Sequence, residues 1–275
     1  METPRRMDWS WYRDRMFSFC PRSYMLHYEG GRGGFDLYAE RERRLVYRLK
    51  KLSDVPRWLD ELATDAVRGC VPWRGRQFRH ELFRQFENGR SRALAGDWID
   101  DPAFLNLSEL YYQECDPEAL FAGAYEELRR RAKLLENSPL KNLFADLNEL
   151  TLVKTEYPLM MDVNAVRVWT APVQVWHSGN TLFFLNWMKS AEGMSCAGAL
   201  QCVWAMRHLK IPPDRVYFAA YGFTDGAYRE YPAKELDISP ALAWIEQRAL
   251  EFATSDYPSR TENCPHCRFR EYCRD

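Results

Sequence analysis

The sequence predicts a mixed α/β fold in one integrated domain. Over residues 1–150 apolar side chains recur near helical spacing and alternate with many charged ones, which is typical of amphipathic helices. From about residue 151, short runs rich in β-branched and aromatic side chains replace that pattern. We therefore expect a helical region at 1–150 and a core of strands and helices at 151–275, with no internal repeat.

Helical periodicity in the first region predicts helices at 8–28, 38–68, 76–95 and 117–148. The last of these begins with two strong signals, since Asp116 can cap the helix and Pro117 suits its first turn. The run Gly30–Gly34 predicts a flexible turn, and residues 100–115 carry too weak a pattern to assign.

In the second region the composition predicts strands at 151–157, 165–170, 173–177, 181–187 and 215–221, with a further candidate at 228–231. Ser178, Gly179 and Asn180 form a hairpin turn between two of these strands. Helices are expected at 195–209 and 240–253. The order is that of an antiparallel meander followed by a helix and a further strand.

Composition excludes several classes of protein. The chain has 275 residues, 46% of them hydrophobic, and a net charge of −1, which suits a folded domain and argues against disorder. No apolar run is long enough for a transmembrane helix, and the N-terminus lacks a signal-peptide pattern. We expect a cytoplasmic protein that does not bind a membrane, and contact with nucleic acid only through a local basic patch.

Cysteine spacing is the most informative feature. Three of the eight cysteines, Cys264, Cys267 and Cys273, form a C-x2-C-x5-C pattern near the C-terminus. In a reducing compartment such spacing indicates a metal centre rather than disulfides, because thiolates on neighbouring turns can bind one centre. Zinc and iron–sulfur clusters both accept four thiolates, so a fourth ligand is needed. Cys20 is the candidate, within the segment Cys20-Pro21-Arg22-Ser23-Tyr24.

This combination resembles the iron–sulfur branch of the PD-(D/E)XK nuclease superfamily, which includes CRISPR-associated RecB-like exonucleases and AddB-type subunits. The resemblance spans nearly the whole chain. It implies a restriction-endonuclease-like mixed-sheet core with a helical N-terminal region. It also implies that Cys20, Cys264, Cys267 and Cys273 hold a [4Fe–4S] cluster that ties the two ends together; zinc is the alternative metal.

The same resemblance implies an active site in which two acids bind divalent metal ions and a lysine assists the nucleophile. Here Val173 stands at the first acid position, Asn186 at the second and Met188 at the lysine. Thr64 takes the place of an upstream histidine. Gln201 resembles a glutamine of a downstream helix, and Glu156 is the acid best placed to rebuild a site. We expect no Mg²⁺ or Mn²⁺ site and no cleavage.

Three functions follow as hypotheses. The leading one is a catalytically inactive iron–sulfur protein that binds DNA or a protein partner in a DNA-processing or defence system. The second is an active nuclease with rearranged acids, and the third is a purely structural interaction subunit. Two further features allow two interpretations each. The arginines and lysines at 41–51 form either a solvated face or a phosphate-binding strip. Four tryptophans either pack in the core or stack on bases: Trp169, Trp176, Trp187 and Trp204.

Overall fold

The computed structural model describes residues 7–69, 75–140, 151–153, 155–188 and 191–273. The contacts divide the chain into two compact units. We call them the sheet unit, which comprises Met1–Asp14, Val67–Gly75 and Arg131–Ser255, and the helical unit, which comprises Arg15–Ala66, Arg76–Arg130 and Asp256–Asp275. The division differs from the boundary near residue 150 suggested by the sequence, because long-range pairing groups chain segments that are distant in sequence.

The strands all belong to the sheet unit. In chain order they are β1 (Met7–Ser10), β2 (Thr151–Leu152), β3 (Leu159–Val163), β4 (Val166–Thr170), β5 (Gln174–Ser178), β6 (Thr181–Trp187), β7 (Val216–Tyr221) and β8 (Tyr228–Pro232).

The α-helices alternate with short turns over the first half of the chain and flank the strands in the second. In chain order they are α1 (Trp11–Phe19), α2 (Pro21–Met25), α3 (Arg41–Leu49), α4 (Val55–Gly69), α5 (Gly75–Ala95), α6 (Asp97–Asp100), α7 (Ser108–Tyr111), α8 (Pro117–Glu136), α9 (Ala191–Trp204) and α10 (Ile238–Thr254).

Two sheets form the framework of the sheet unit. In the first, β4 is central, with β1 parallel on one side and β3 antiparallel on the other. The second has the order β2-β5-β6-β7-β8, and only the β6–β7 pair is parallel. A parallel pair needs a crossover connection, which α9 supplies between β6 and β7. Helix α9 also contacts β3, β4 and α10, and α10 contacts β1.

Alternating burial explains why these segments are strands. On β3, Leu159, Met161 and Val163 are buried while Met160 and Asp162 are exposed, the period-two pattern of a sheet with one face on the core. Strands β6 and β7 are buried more continuously, as a strand at the centre of a sheet requires.

In the helical unit, α3 and the π-helical turn Leu26–Gly30 enclose a core with the C-terminal segment. Its members are Leu26, Val46, Leu49, Leu52, Trp98, Cys267 and Phe269. A second set of aromatic contacts joins α4, α5 and α8, where the Trp58 ring stacks on Phe86 at 4.9 Å and meets Phe121 edge-on at 6.0 Å. Within the described ranges no helix is long and apolar enough to cross a membrane.

Most predicted elements are confirmed. Asp116 caps α8, because its Oδ2 accepts a hydrogen bond of 2.8 Å from the Ala119 N–H. The helix ends at Glu136, and the part of the prediction at 141–148 lies outside the described residues. The turn between β5 and β6 lies at the predicted position, with Gly179 at a φ of +54°.

Three predictions about elements are wrong. The helix predicted at 38–68 is two helices, α3 and α4, because Pro56 cannot lie in a helix interior and Asp54 caps a new start through the Arg57 N–H at 2.9 Å. The strand predicted at 151–157 covers only Thr151–Leu152, and the chain pairs again at β3, after Pro158. Residues 7–10, taken as helical from residue 8, form β1, because β4 offers them a partner.

Candidate functional site

The three positions at which a nuclease would carry its acids and lysine lie in the sheet unit. Val173, immediately before β5, is buried, and its N–H donates to the Leu185 carbonyl at 2.7 Å. Asn186 lies near the end of β6, on the strand that pairs with β5. Met188 follows β6, half-buried, and its N–H donates to the Tyr221 carbonyl at 2.7 Å. None of these side chains carries a charge.

Asn186 belongs to a buried network of neutral hydrogen bonds. Its Nδ2 donates to Gln201 Oε1 at 2.9 Å, and Gln201 Nε2 donates back to Asn186 Oδ1 at 2.6 Å. Gln201 Nε2 also donates to Thr170 Oγ1 at 3.2 Å. Gln201 is fully buried, and Asn186 and Thr170 are almost so. Two residues singled out by sequence therefore contact each other, but they form an amide pair rather than a metal site.

The other candidate residues do not join this network within the described contacts. Glu156 is exposed on the segment between β2 and β3, and the described part of the chain gives it no hydrogen bond or ion pair. Thr64 belongs to α4 in the helical unit, where its hydroxyl donates to the Asp60 carbonyl at 2.7 Å.

Arg68 contacts the backbone beside Val173, a role that the sequence analysis did not predict. Its Nε donates to the Val173 carbonyl at 2.9 Å and its Nη2 to the Pro172 carbonyl at 3.0 Å. The guanidinium also lies over the Tyr157 ring, 4.5 Å from the ring centre. Arg68, on α4, thus holds the backbone before β5 in place. More than one hundred residues separate the two segments, and no pattern in the sequence predicts such a contact.

The four cysteines predicted to bind a metal centre all lie in the helical unit. Cys20 is buried between α1 and α2, and Cys267 is buried after the short 3-10 helix Thr261–His266, which contains Cys264. Cys273 lies in the following turn and is exposed.

Electrostatic interactions link the four thiols. Burial raises the pKa of the Cys267 thiol, hydrogen bonds with the Phe269 backbone and the Ser23 side chain lower it, and the nearby Cys20 and Cys264 raise it. Burial also raises the pKa of Cys273, with added contributions from Cys267, Cys20 and Cys264. Such repulsion acts only between neighbouring groups, so the fold brings together residues that 243 positions separate in sequence, Cys20 and Cys264.

Backbone N–H groups point at two of the sulfurs. The Arg260 N–H lies 3.4 Å from Cys20 Sγ, and the Phe269 N–H lies 3.4 Å from Cys267 Sγ. The Asn263 side chain donates to the Phe19 carbonyl at 2.6 Å, which holds the C-terminal segment beside Cys20. Among the described residues, however, no group of three or more His, Cys, Asp or Glu side chains has the spacing of a metal site. Convergence of the sulfurs on one centre therefore stays a prediction.

The other described cysteines stand apart from this group in their setting. Cys196 and Cys202 are buried on α9 of the sheet unit, and Cys115 is exposed. Burial raises the pKa of Cys202 to about 11, which keeps this thiol protonated and unreactive at neutral pH. Cys196 and Cys202 fit the predicted role of small buried apolar side chains. Cys70 lies outside the described residues.

Helix α3 carries three exposed arginines in the helical unit, with the exposed Glu42 among them. Arg41, Arg43 and Arg44 are exposed, and no ion pair is described for them within the part of the chain covered by the structure. By contrast, Arg48 on the same helix lies over the Trp98 ring and donates to the Trp98 carbonyl at 3.0 Å. The basic run thus divides into one structural arginine and three that are open to a partner.

An apolar loop tip lies beside these arginines. Phe35, Leu37 and Tyr38 are 73%, 80% and 97% exposed, respectively. In the preceding turn Gly34 packs directly against α3, because a Cβ at this position would lie 2.4 Å from the Arg43 carbonyl oxygen. This close approach requires glycine, and the turn predicted at Gly30–Gly34 is found at residues 31–35. Arg41 and Arg44 line one groove with Phe35 and Leu37, and three acidic residues line the same groove: Asp100, Asp101 and Glu271.

The fold defines the class of this protein as mixed α/β, with sheets and helices in one unit and helices in the other. No protein-family model matches the chain, and no curated protein is significantly similar to it. The function must therefore be argued from the site itself.

Proposed function

We propose that this chain is a catalytically inactive, nuclease-like protein of the cytoplasm that binds single-stranded nucleic acid and holds a [4Fe–4S] cluster. The nuclease-like character rests on the sequence resemblance together with the mixed sheet. The observation that carries the binding role is the surface of three exposed arginines on α3 beside an exposed aromatic loop tip. Unpaired cations attract phosphates, and aromatic rings stack on unpaired bases.

The absence of catalysis is supported by the amide pair of Asn186 and Gln201. Two amides that satisfy each other carry no net negative charge, and buried Val173 adds none. A divalent hard cation is bound by carboxylate oxygens and water, so this site offers it little attraction. Glu156, the acid best placed by sequence to replace the lost ones, is exposed and makes no described contact with the pair.

The cysteine group supports the cluster by its chemistry. Four thiols interact within one unit, and N–H groups of Arg260 and Phe269 point at two of the sulfurs. Hydrogen bonds to thiolates are part of the outer shell that tunes metal centres. When bound, the cluster would supply a covalent-strength link between Cys20 and the C-terminal segment. The residues of this chain would hold it through Cys20, Cys264, Cys267 and Cys273.

The binding role is tested with fluorescently labelled single-stranded DNA and RNA and with duplex DNA. The variant carries Arg41→Gln, Arg43→Gln and Arg44→Gln. A control with the same loss of charge carries Arg84→Gln, Arg129→Gln and Arg130→Gln, three exposed arginines that are already paired with glutamates three positions earlier.

We expect the α3 variant to lose single-strand affinity by roughly tenfold or more at moderate salt and the control to stay within about twofold. Losing three phosphate contacts should also make the fall of log K with log salt less steep, with a slope smaller in magnitude by about 2. Equal losses in the two variants would show that only net charge matters. Absence of any binding by the native protein would favour the structural interaction subunit.

Catalytic inactivity is tested by incubating the native protein with single- and double-stranded DNA and Mn²⁺, beside a variant carrying Val173→Asp, Asn186→Asp and Met188→Lys. We expect no cleavage by the native protein. Cleavage by the variant alone would support a nuclease ancestry. Native cleavage that disappears on Glu156→Ala would establish the active nuclease with rearranged acids instead.

The cluster is tested by anaerobic purification, an absorbance spectrum, and analysis of iron, sulfide and zinc per chain. About four irons per chain with a broad visible absorption would support a [4Fe–4S] cluster. One zinc per chain without iron would show that the four cysteines bind zinc instead of a cluster. Protein with neither metal would overturn both.

A further inference from the structure

A cavity of about 300 Å³ opens in the sheet unit beside the amide pair. The segment Trp9–Arg13, the start of α9 and the ends of β4 and β6 form its walls. Its volume lies at the lower end of the range of small-molecule sites. Three half-buried tryptophans, Trp11, Trp169 and Trp187, line it together with the fully buried Trp9. Large rings left half-buried around a concavity are the lining expected of a ligand site rather than of a packed core.

Polar groups in the lining have unused hydrogen-bonding capacity. The pair with Gln201 uses one donor and one acceptor position of the Asn186 amide, and the contacts of the described residues leave the others without a partner. The indole N–H of Trp9 also has no hydrogen-bond partner within the described part of the chain, but its nitrogen is fully buried and does not open onto the cavity. The polar group that a ligand can reach is therefore the Asn186 amide.

The charges of the lining residues limit the classes of ligand that the cavity can bind. Arg13 lines the cavity, with its guanidinium 5.1 Å from the centre of the Trp169 ring and its Nη2 3.4 Å from Asp8 Oδ2, so a ligand phosphate would share this arginine with Asp8. None of the described lining residues carries a carboxylate. The lining contains a cationic side chain and no carboxylate, so it repels a quaternary ammonium ligand although tryptophan rings surround it. A purely aliphatic ligand would leave the remaining hydrogen-bonding positions of the Asn186 amide without a partner.

A flat heterocycle with hydrogen-bonding groups on its edge suits both the aromatic walls and the polar amide of this cavity. Its faces stack on indole rings, and its edge can exchange a donor and an acceptor with an amide, as asparagine does with a purine. We infer that this cavity binds one nucleobase, with Asn186 contacting its edge, the half-buried tryptophans its faces, and Arg13 its phosphate. The nucleobase belongs to a free nucleotide or to an unpaired base of a strand.

The wall of the cavity on α9 fixes the position of Trp11. A Cβ at Gly193 would lie 2.7 Å from two atoms of the Trp11 ring, so this ring rests directly on the helix backbone. Ala197, one turn later on α9, lines the cavity and is half-buried. Replacing Ala197 by tryptophan would fill the space without removing any existing contact. Because this site uses neither the cysteines nor the arginines of α3, it goes beyond the proposed function and can fail independently of it.

The test measures quenching of tryptophan fluorescence and heats of binding with the mononucleotides AMP, GMP, CMP and UMP, and anisotropy with labelled single-stranded oligonucleotides. The variant is Ala197→Trp, and the control is Ala243→Trp, an exposed alanine on α10. Far-ultraviolet circular dichroism checks the fold of both. Tyr217→Ala, which removes an exposed aromatic ring elsewhere in the sheet, is a second control.

If the base comes from a free nucleotide, a mononucleotide binds saturably and Ala197→Trp weakens it by roughly tenfold or more, while the controls change it by less than about twofold. If the base belongs to a strand, mononucleotides fail but Ala197→Trp lowers oligonucleotide affinity selectively. The inference is overturned when neither ligand responds to Ala197→Trp, even if the α3 arginines still govern strand binding. Should Ala197→Trp misfold, Trp169→Phe and Asn186→Ser replace it under the same criteria.

Discussion

The amide pair at the centre of the sheet unit gives the sharpest quantitative prediction. Gln201→Leu removes three hydrogen bonds, of 2.9, 2.6 and 3.2 Å, and leaves the Asn186 amide and the Thr170 hydroxyl buried without this partner. A buried polar group that loses its partner costs about 1–3 kcal/mol. Two such groups lower the free energy of unfolding by about 2–6 kcal/mol in total.

Coupling between the two amides decides the interpretation. Asn186→Leu alone should cost about 2–3 kcal/mol, because Gln201 keeps only its bond to Thr170. In the double variant both amides are gone, so its cost should fall below the sum of the single costs by at least about 1 kcal/mol. Urea unfolding, followed by tryptophan fluorescence and circular dichroism, measures these free energies.

The matched control is Gln247→Leu, on the exposed face of α10, where we expect a change within about 0.5 kcal/mol. Strictly additive costs, or single variants as stable as the native protein, would refute the argument. That result would mean that the pair contributes nothing to the fold and that the two residues are free for another role.

Three further predictions follow from the same structure. If the proposed cluster is present, Cys267→Ala should abolish iron binding and lower stability by several kcal/mol, since the cluster would close a loop of 243 residues and such a link contributes roughly 5 kcal/mol of chain entropy; Cys196→Ala, a buried control, should leave iron binding unchanged, and equal melting of both variants would contradict the link. Burial raises the pKa of Tyr231 to about 12, so stability should be fully present below pH 10 and fall as the pH rises from 10 to 12, by up to about 2–3 kcal/mol; urea titrations at pH 9 and 11 should show a smaller loss in Tyr231→Phe. Asp116→Ala should cost about 1 kcal/mol through loss of the cap on α8, and Asp116→Asn, which also caps, should restore most of it.

The sequence by itself determined the elements whose signals are local. The cap and proline at the start of α8, the turn at Gly179 and the runs of β-branched and aromatic residues at β4–β7 depend on neighbours a few positions away. Such signals are readable because backbone propensity and side-chain period act over one or two turns. The choice of Cys20, Cys264, Cys267 and Cys273 also came from sequence, through spacing and resemblance, and the fold brings their charges into interaction.

Only the tertiary structure decided the features that depend on distant partners. Residues 7–10 became a strand because β4 offered an open edge, and Arg68 became a site residue because two carbonyls before β5 face it. The tryptophans that the sequence could place either in the core or on a ligand divide accordingly: Trp176 and Trp204 are buried, whereas Trp169 and Trp187 line the cavity. Local propensity contributes tenths of a kilocalorie per residue, and long-range burial and hydrogen bonding override it wherever the two disagree.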